Sequence, residues 1–558
     1  MIAQDFDQEI GSWKTHFDLT KTKKIVPVKN KLYCSAENGL FYYDTDNEKT
    51  KQFDILEGLS ENGIANFAFH EATNQILIAY KSGNVDLIKL RANGDFNKIV
   101  PLSTLKNDLS IFENKSANHI IFQKNTAIIA YDFGLATIDI EKNTFTAIYK
   151  NIGKNGKMTK VSRTSILNDT LYLSTKEGIR YAAFPSQKNL LNFENWTNKT
   201  IPTEANGQNI YVEHFQNQMF CFVDKIGVFN LKNNQWEKIH STSKNIHSID
   251  NQINKLNWCD STNIFTLNKN LEIEKKTHPS FTQLNDFIIF NETKFVADYK
   301  AGLMKENINN YDTLSPKNVI NFFNKTTDQQ ITDLNGYLWT IKPGDKTKII
   351  VSDKTKTREL NSSVENGALN GLAINTLAVD ADGFIWIGTQ EGIYSIDNAY
   401  EVLSNLQSVI SATKPVYEGR NLFSKFNINS IVVDAGNRKW IGTDEGLYLL
   451  NPELNVLLEK FTPENAPLSS KIVKKIIIEP SSGLVYLQTP KETLSYRGTA
   501  TEGKETQAES TVLVFPNPVK SNFTGIIGIK GLVNNATVKI TDLAGNIVYQ
   551  TQANGGTA

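Results

Sequence analysis

One passage of this chain is written twice. Ile374–Asp397 reads INTLAVDADGFIWIGTQEGIYSID and Ile428–Asn451 reads INSIVVDAGNRKWIGTDEGLYLLN, an offset of 54 residues with 12 of 24 positions identical. Self-similarity at such a period marks stacked copies of one supersecondary unit. Each copy is an alternating apolar run, a turn (Asp382-Gly383 or Gly436-Asn437), a Trp-Ile-Gly-Thr strand and a second turn at Glu391-Gly392 or Glu445-Gly446. A further strand then carries Tyr394 or Tyr448. Short strands separated by turns at this spacing describe propeller blades of four strands each.

Weaker copies run backward through the chain. Leu32–Tyr43, Ile76–Ile88, Ile128–Ile140, Leu171–Tyr181 and Met219–Leu231 are each a strand, a turn and a strand, with glycines at 39, 83, 134, 178 and 227. Further windows are Ile264–Glu274, Phe295–Met304, Tyr337–Lys342 and Val485–Tyr496, which makes eleven blades in all. Eleven exceeds one common ring of four to eight. The chain is therefore expected to be all-β, with two tandem β-propellers over 1–255 and 256–498, a linker over 499–511 and a partial β-sandwich over 512–558. Thr499–Ser510 reads as a linker because it has no aromatic or branched aliphatic residue to bury.

Composition narrows function by exclusion. The formal net charge is zero, so no global field favours nucleic acid or an anionic membrane. No apolar run approaches the length of a membrane helix. Cys34, Cys221 and Cys259 share no short spacing, and the first and second sit in apolar runs, so buried thiols are expected. Ala3-Gln4 looks like the end of a cleaved signal peptide, and a missing leader is expected.

Chemistry is sparse. His16, His70, His119, His214, His240, His247 and His278 form no HExxH or i, i+4 pair, and no P-loop or G-x-S-x-G elbow occurs. No catalytic residue, cofactor or metal ligand is expected. Asp380-Ala381-Asp382-Gly383 could open a calcium loop, but no bidentate Glu follows and the second copy reads Gly436-Asn437; a hairpin turn accounts for both. Trp386 and Trp440 at equivalent places suit packing between sheets better than sugar stacking. Arg438 and Lys439, unmatched by Phe384 and Ile385, are the place where blade-specific surface binding could sit.

The tail differs in kind. Val512–Asn522 is VLVFPNPVKSN and Val538–Tyr549 is VKITDLAGNIVY; the prolines turn the chain out of any ladder, and Leu543–Asn546 is a hairpin turn. Phe515, Pro516, Asn517, Pro518, Asp542, Gly545, Gly555 and Gly556 carry a resemblance to the type A C-terminal sorting domain of the type IX secretion system. The Trp-Ile-Gly-Thr sentence is similar to the two-component-regulator propeller repeat. Together with Trp13–Tyr43 and Phe53–Leu59, these features resemble the PorZ-like family of that secretion system.

The resemblance implies a non-catalytic, exported protein at the outer-membrane-associated cell surface. It implies an attachment complex with the sortase PorU, the outer-membrane protein PorV and the linker protein PorQ. It also implies binding of an anionic lipopolysaccharide, and a tail kept as a docking domain. Two alternatives stand beside it: a secreted type IX cargo protein whose propeller binds or processes carbohydrate, and the sensor part of a two-component receptor.

Overall fold

A computed structural model describes residues 8–16, 19–36, 39–252, 254–308, 310–314, 329–504, 506, 512–515, 517–519 and 526–558. The chain forms two compact units, one of Phe17–Asn318 and one of Met1–His16 with Val319–Ala558.

The unit of Phe17–Asn318 holds seven antiparallel four-stranded sheets, at 24–53, 64–102, 117–149, 161–199, 210–241, 248–277 and 284–313, each paired in chain order. The second strand of a blade is covered on both faces by its neighbours, so Gln75–Tyr80 is buried along its length. The fourth strand lies at the rim, and Gln235–Ser241 is mostly exposed or half-exposed. Turns between strands bring backbone very close to backbone. At Gly134, φ is +150° and an added Cβ would lie 2.2 Å from the Tyr149 carbonyl, so only glycine fits.

The seventh blade packs on the first and closes the ring. Leu32, Phe41 and Tyr43 of the first blade share one core cluster with Phe295, Ala297 and Leu303 of the seventh. Each such buried side chain contributes about 1.5–3 kcal/mol of transfer free energy. Polar links reinforce the seam: the Ile25 N–H donates to Asp286 Oδ2 at 2.9 Å, and Asn285 Nδ2 donates to the Thr22 carbonyl at 2.9 Å.

Among the described residues, the other unit holds four blades. Three lie at 330–360, 374–396 (three strands) and 428–461. The fourth joins Lys475–Glu479, Leu484–Gln488 and Thr493–Arg497 to a strand from the opposite end of the chain, Trp13–His16. Trp13 pairs with Tyr496 across this junction and packs edge-on against Phe461 at 5.2 Å. The tail adds two small sheets, Leu513–Phe515 with Gly528–Lys530 and Thr537–Thr541 with Ile547–Gln552.

All eleven strand-turn-strand windows fall inside blades, but the expected division at 255/256 does not hold. It would cut the strand Lys255–Cys259 in the sixth blade of the seven-bladed unit. Every blade has a similar local pattern, so local pattern does not say which ring a blade joins. The seven-bladed unit is also not simply first in tandem; it is inserted between Trp13–His16 and the rest of the second unit. The expected linker is revised at its start. Ala500 and Thr501 are buried, the Gly556 N–H donates to the Thr501 carbonyl at 2.6 Å, and the Lys504 N–H donates to the Leu532 carbonyl at 2.9 Å. Backbone pairing holds a segment whose side chains could not. Cys34, Cys221 and Cys259 are free and buried. Among the described residues no helix is long and apolar enough to cross a membrane.

Candidate functional site

The repeated sentence encodes a turn built around one aspartate. Asp380 Oδ1 accepts the N–H groups of Asp382 (3.0 Å) and Phe384 (2.9 Å), and its Oδ2 accepts Trp386 Nε1–H at 2.8 Å. Asp434 repeats this with Gly436, Arg438 and Trp440 at 2.9, 3.1 and 3.1 Å. Asp333 repeats it again with Asn335, Tyr337 and Trp339 at 2.8, 2.8 and 2.9 Å. An Asp-x5-Trp spacing thus satisfies the turn and the buried indole with one carboxylate, which is why Trp386 and Trp440 pack between sheets. The carboxylates at these turns are engaged by protein donors. Among the described residues no cluster of His, Cys, Asp and Glu is arranged to hold a metal.

Arg438 and Lys439 are not surface groups. Arg438 is buried, its Nε donates to Asp434 Oδ2 at 2.8 Å, and its other end reaches Thr499 Oγ1 at 2.8 Å. Lys439 is fully buried (0 % exposed). Its Nζ lies 2.9 Å from Asp380 Oδ2 of the preceding blade, donates to the Pro452 carbonyl at 2.7 Å, and sits 5.1 Å from the Trp386 ring centroid. Burial acts to raise the Asp380 carboxyl, but the hydrogen bonds from Trp386 and Lys439 outweigh it and hold the group below the usual range. The basic pair ties blade to blade and leaves no charge for a ligand.

The sorting-motif residues divide into two groups. Asp542 and Gly545 form an exposed hairpin tip: Asp542 accepts the Ala544 and Asn546 N–H groups at 2.9 Å each, and Gly545 has φ +85°. Phe515 pairs with Gly528, where an added Cβ would strike its ring at 2.6 Å. Asn517 and Pro518 are exposed, and Pro516 lies outside the described residues. Gly555 and Gly556 are pressed against the body: an added Cβ would lie 1.9 Å from the Thr501 carbonyl oxygen and 2.4 Å from that of Glu502, respectively. Thr501 and Thr557 share a buried hydroxyl–hydroxyl hydrogen bond at 2.5 Å.

The seven-bladed unit contains a polar cavity of about 510 Å³ along its inner strands. Arg163 donates to Glu213 Oε2 at 2.6 Å and to the Ile249 carbonyl at 3.0 Å, while Ser165 Oγ donates to Glu213 Oε1 at 2.9 Å. Lys24 Nζ donates to Asn66 Oδ1 at 2.7 Å. Burial lowers the Lys24 ammonium to about 8 against the pull of Asp286, and raises the Asp286 carboxyl to about 6. Burial also raises Asp250 and pushes His119 well below its ordinary value. None of these residues stood out in the sequence, because they are scattered over the inner strands of several blades and no short motif joins them.

Comparison with known proteins places this architecture. Residues 32–197 match the family described as the PorZ N-terminal β-propeller domain of the type IX secretion system. Over that stretch the chain is PorZ-like. Residues 513–558 of the PorZ-like chain match the secretion system C-terminal sorting domain, and 368–391 match the two-component regulator propeller repeat. It is thus a type IX secretion component with a propeller and a sorting domain, and is exported. Among solved structures, PorZ of Porphyromonas gingivalis, a surface component of that system, is similar over 98% of this chain and 95% of its own, at 19% identity and TM-score 0.64. That likeness supports the fold. The extracellular domain assigned to a hybrid two-component system of B. thetaiotaomicron covers 96% of this chain and 76% of its own at 16% identity, with TM-score 0.40. The sequence finds no match among curated proteins.

Proposed function

We propose that this PorZ-like chain is a non-catalytic scaffold of the type IX machinery at the cell surface. It holds the sortase PorU, beside PorV and PorQ, and presents an anionic lipopolysaccharide for attachment to cargo. The observation that carries the reading is the seating of the tail. Gly555 and Gly556 lie against Thr501 and Glu502 at distances that leave no room for a Cβ, and Thr557 is bonded to Thr501 inside the body. A tail integrated in this way suits a retained docking domain better than a signal removed from cargo.

The test is affinity capture of an internally tagged full-length chain from surface-enriched outer membranes, with mass spectrometry of partners and of C-terminal peptides. Recovery of a sortase together with peptides ending beyond Gly556 is the expected result. A tail cleaved near Phe515 with no sortase recovered would make the protein cargo instead.

A further inference from the structure

The cavity of the seven-bladed unit has no role in the reading above, and its chemistry can be taken on its own terms. Six of the seven inner strands line it: Lys24–Val28, Ala117–Gln123, Val161–Leu167, Ile210–Phe215, Ser248–Gln252 and Leu284–Phe290. Its volume of about 510 Å³ lies within the usual range for small-ligand sites. The polar groups do not cancel evenly. Arg163 and Glu213 satisfy each other, as described above. Lys24, Asp250 and Asp286 remain, one cation facing two carboxylates.

Lys24 feels the attraction of both carboxylates, Asp286 more than Asp250. Lys24 has three N–H donors, and its side-chain hydrogen bond to Asn66 uses one. Asp250 Oδ2 accepts from Gln252 Nε2 at 2.8 Å, and Asp286 accepts the backbone N–H groups of Ile25 and Phe287, each at 2.9 Å. The Asn257 side chain also bonds to Asp250 and the Ser248 side chain to Asp286, so it is the half-buried Asp250 that keeps acceptor positions open to the cavity. Lys24, Asp250 and Gln252 are half-buried and Asn251 is exposed, so the polar wall can be reached. Ile121, Phe122, Ile166 and Ile289, also half-buried, supply apolar surface in the same cavity.

We infer that this cavity binds a neutral carbohydrate, with Lys24 donating to ring hydroxyls and Asp250 accepting from them, while the buried Asp286 adds negative charge behind the wall. A hydroxyl both donates and accepts, so vicinal hydroxyls match a wall that mixes an ammonium, carboxylates and amides. A bound sugar ring would lay its C–H face on the apolar residues. The surplus carboxylate disfavours an anionic ligand at this place. The inference does not rest on the sortase reading: capture of the sortase could fail while the cavity still binds sugar, and the reverse.

The test uses the full chain on an array of neutral and uronic-acid oligosaccharides, followed by calorimetric titration with the best neutral trisaccharide. The expected result is millimolar or tighter binding of a neutral glycan, weakened about tenfold or more by D250N and by K24M. An exposed-site variant, K471M, should bind as the parent does. Hydrogen exchange of the seven inner strands separates lost binding from lost folding; if K24M opens the ring, D250N with native exchange carries the comparison. Absence of neutral-glycan binding at about 10 mM, far above a millimolar Kd, would overturn the inference. So would binding confined to uronic acids, or a D250N protein that folds and binds like the parent.

Discussion

Replacing Lys439 by Met tests whether the blades of the second unit depend on a buried charge. Methionine keeps the length of the side chain and removes only the ammonium. The variant loses the 2.9 Å ion pair with Asp380, the 2.7 Å bond to the Pro452 carbonyl and the cation–π contact with Trp386. Removing one partner of a buried pair costs about 3–5 kcal/mol, because the other charge stays buried without its counter-ion. Asp380 still accepts from Asp382, Phe384 and Trp386. The expected loss is therefore at the lower end, about 3 kcal/mol.

A whole-chain melting curve would blend the two units. Hydrogen exchange read on peptides spanning Lys439–Thr443 isolates the site, and about 3 kcal/mol corresponds to exchange faster by roughly 100- to 200-fold. The control is K471M. Lys471 is about half exposed and pairs only loosely, at 3.7 Å with Glu445 and 3.9 Å with Glu464, so a change within about 0.5 kcal/mol is expected. If K439M moved protection by less than about 1 kcal/mol, the pair would be energetically idle and the reasoning wrong.

Three further outcomes follow from the geometry. The Asp286 carboxyl, raised by burial to about 6, holds its proton more tightly in the folded ring than in the unfolded chain. Its contribution to stability is thus largest at low pH and falls as pH rises from about 4 to about 6, by roughly 1.4 kcal/mol per pH unit at most. D286N should flatten this part of the stability–pH curve of the seven-bladed unit, and an unchanged slope would refute the assignment. G555A should unseat the tail, since its Cβ would meet the Thr501 carbonyl; limited proteolysis should then release the tail faster while the blades stay protected. Deleting residues 1–16 should expose Thr493–Arg497 as a bare edge and raise its exchange, with no change in the blades at 64–241, measurable in one peptide map.

The blades were readable because each is written locally. Strand and turn patterns recur, mostly with a glycine in the turn, and every window falls inside a blade. Ring membership was not readable, because closure depends on contacts such as Ile25 with Asp286, which no local window contains. Arg438 and Lys439 misled for another reason. Charged residues on a strand suggest a wet face, but the strand Lys439–Thr443 is buried at all five positions, with sheets on both sides. The Asp-x5-Trp spacing was visible at 380 and 434, and searching for it would have found Asp333 and Trp339. The polar cavity left no comparable signal, since it gathers residues from six separate blades.

The strand Trp13–His16 has a consequence for how the chain folds. It lies 483 residues from its partner along the chain, for Trp13 pairs with Tyr496. Closing a loop of that length early is entropically unfavourable. The seven-bladed insert, once closed, lowers that cost by about 0.8 kcal/mol, because Leu19 near its start and Leu314 near its end pack into the same cluster. The expected order of folding is the insert first and the four-bladed unit second, because the insert closes without a strand from outside it. Pulse-labelled exchange during refolding should show Ile25 and Asp286 protected before Trp13 and Tyr496, and the reverse order would refute this sequence of events.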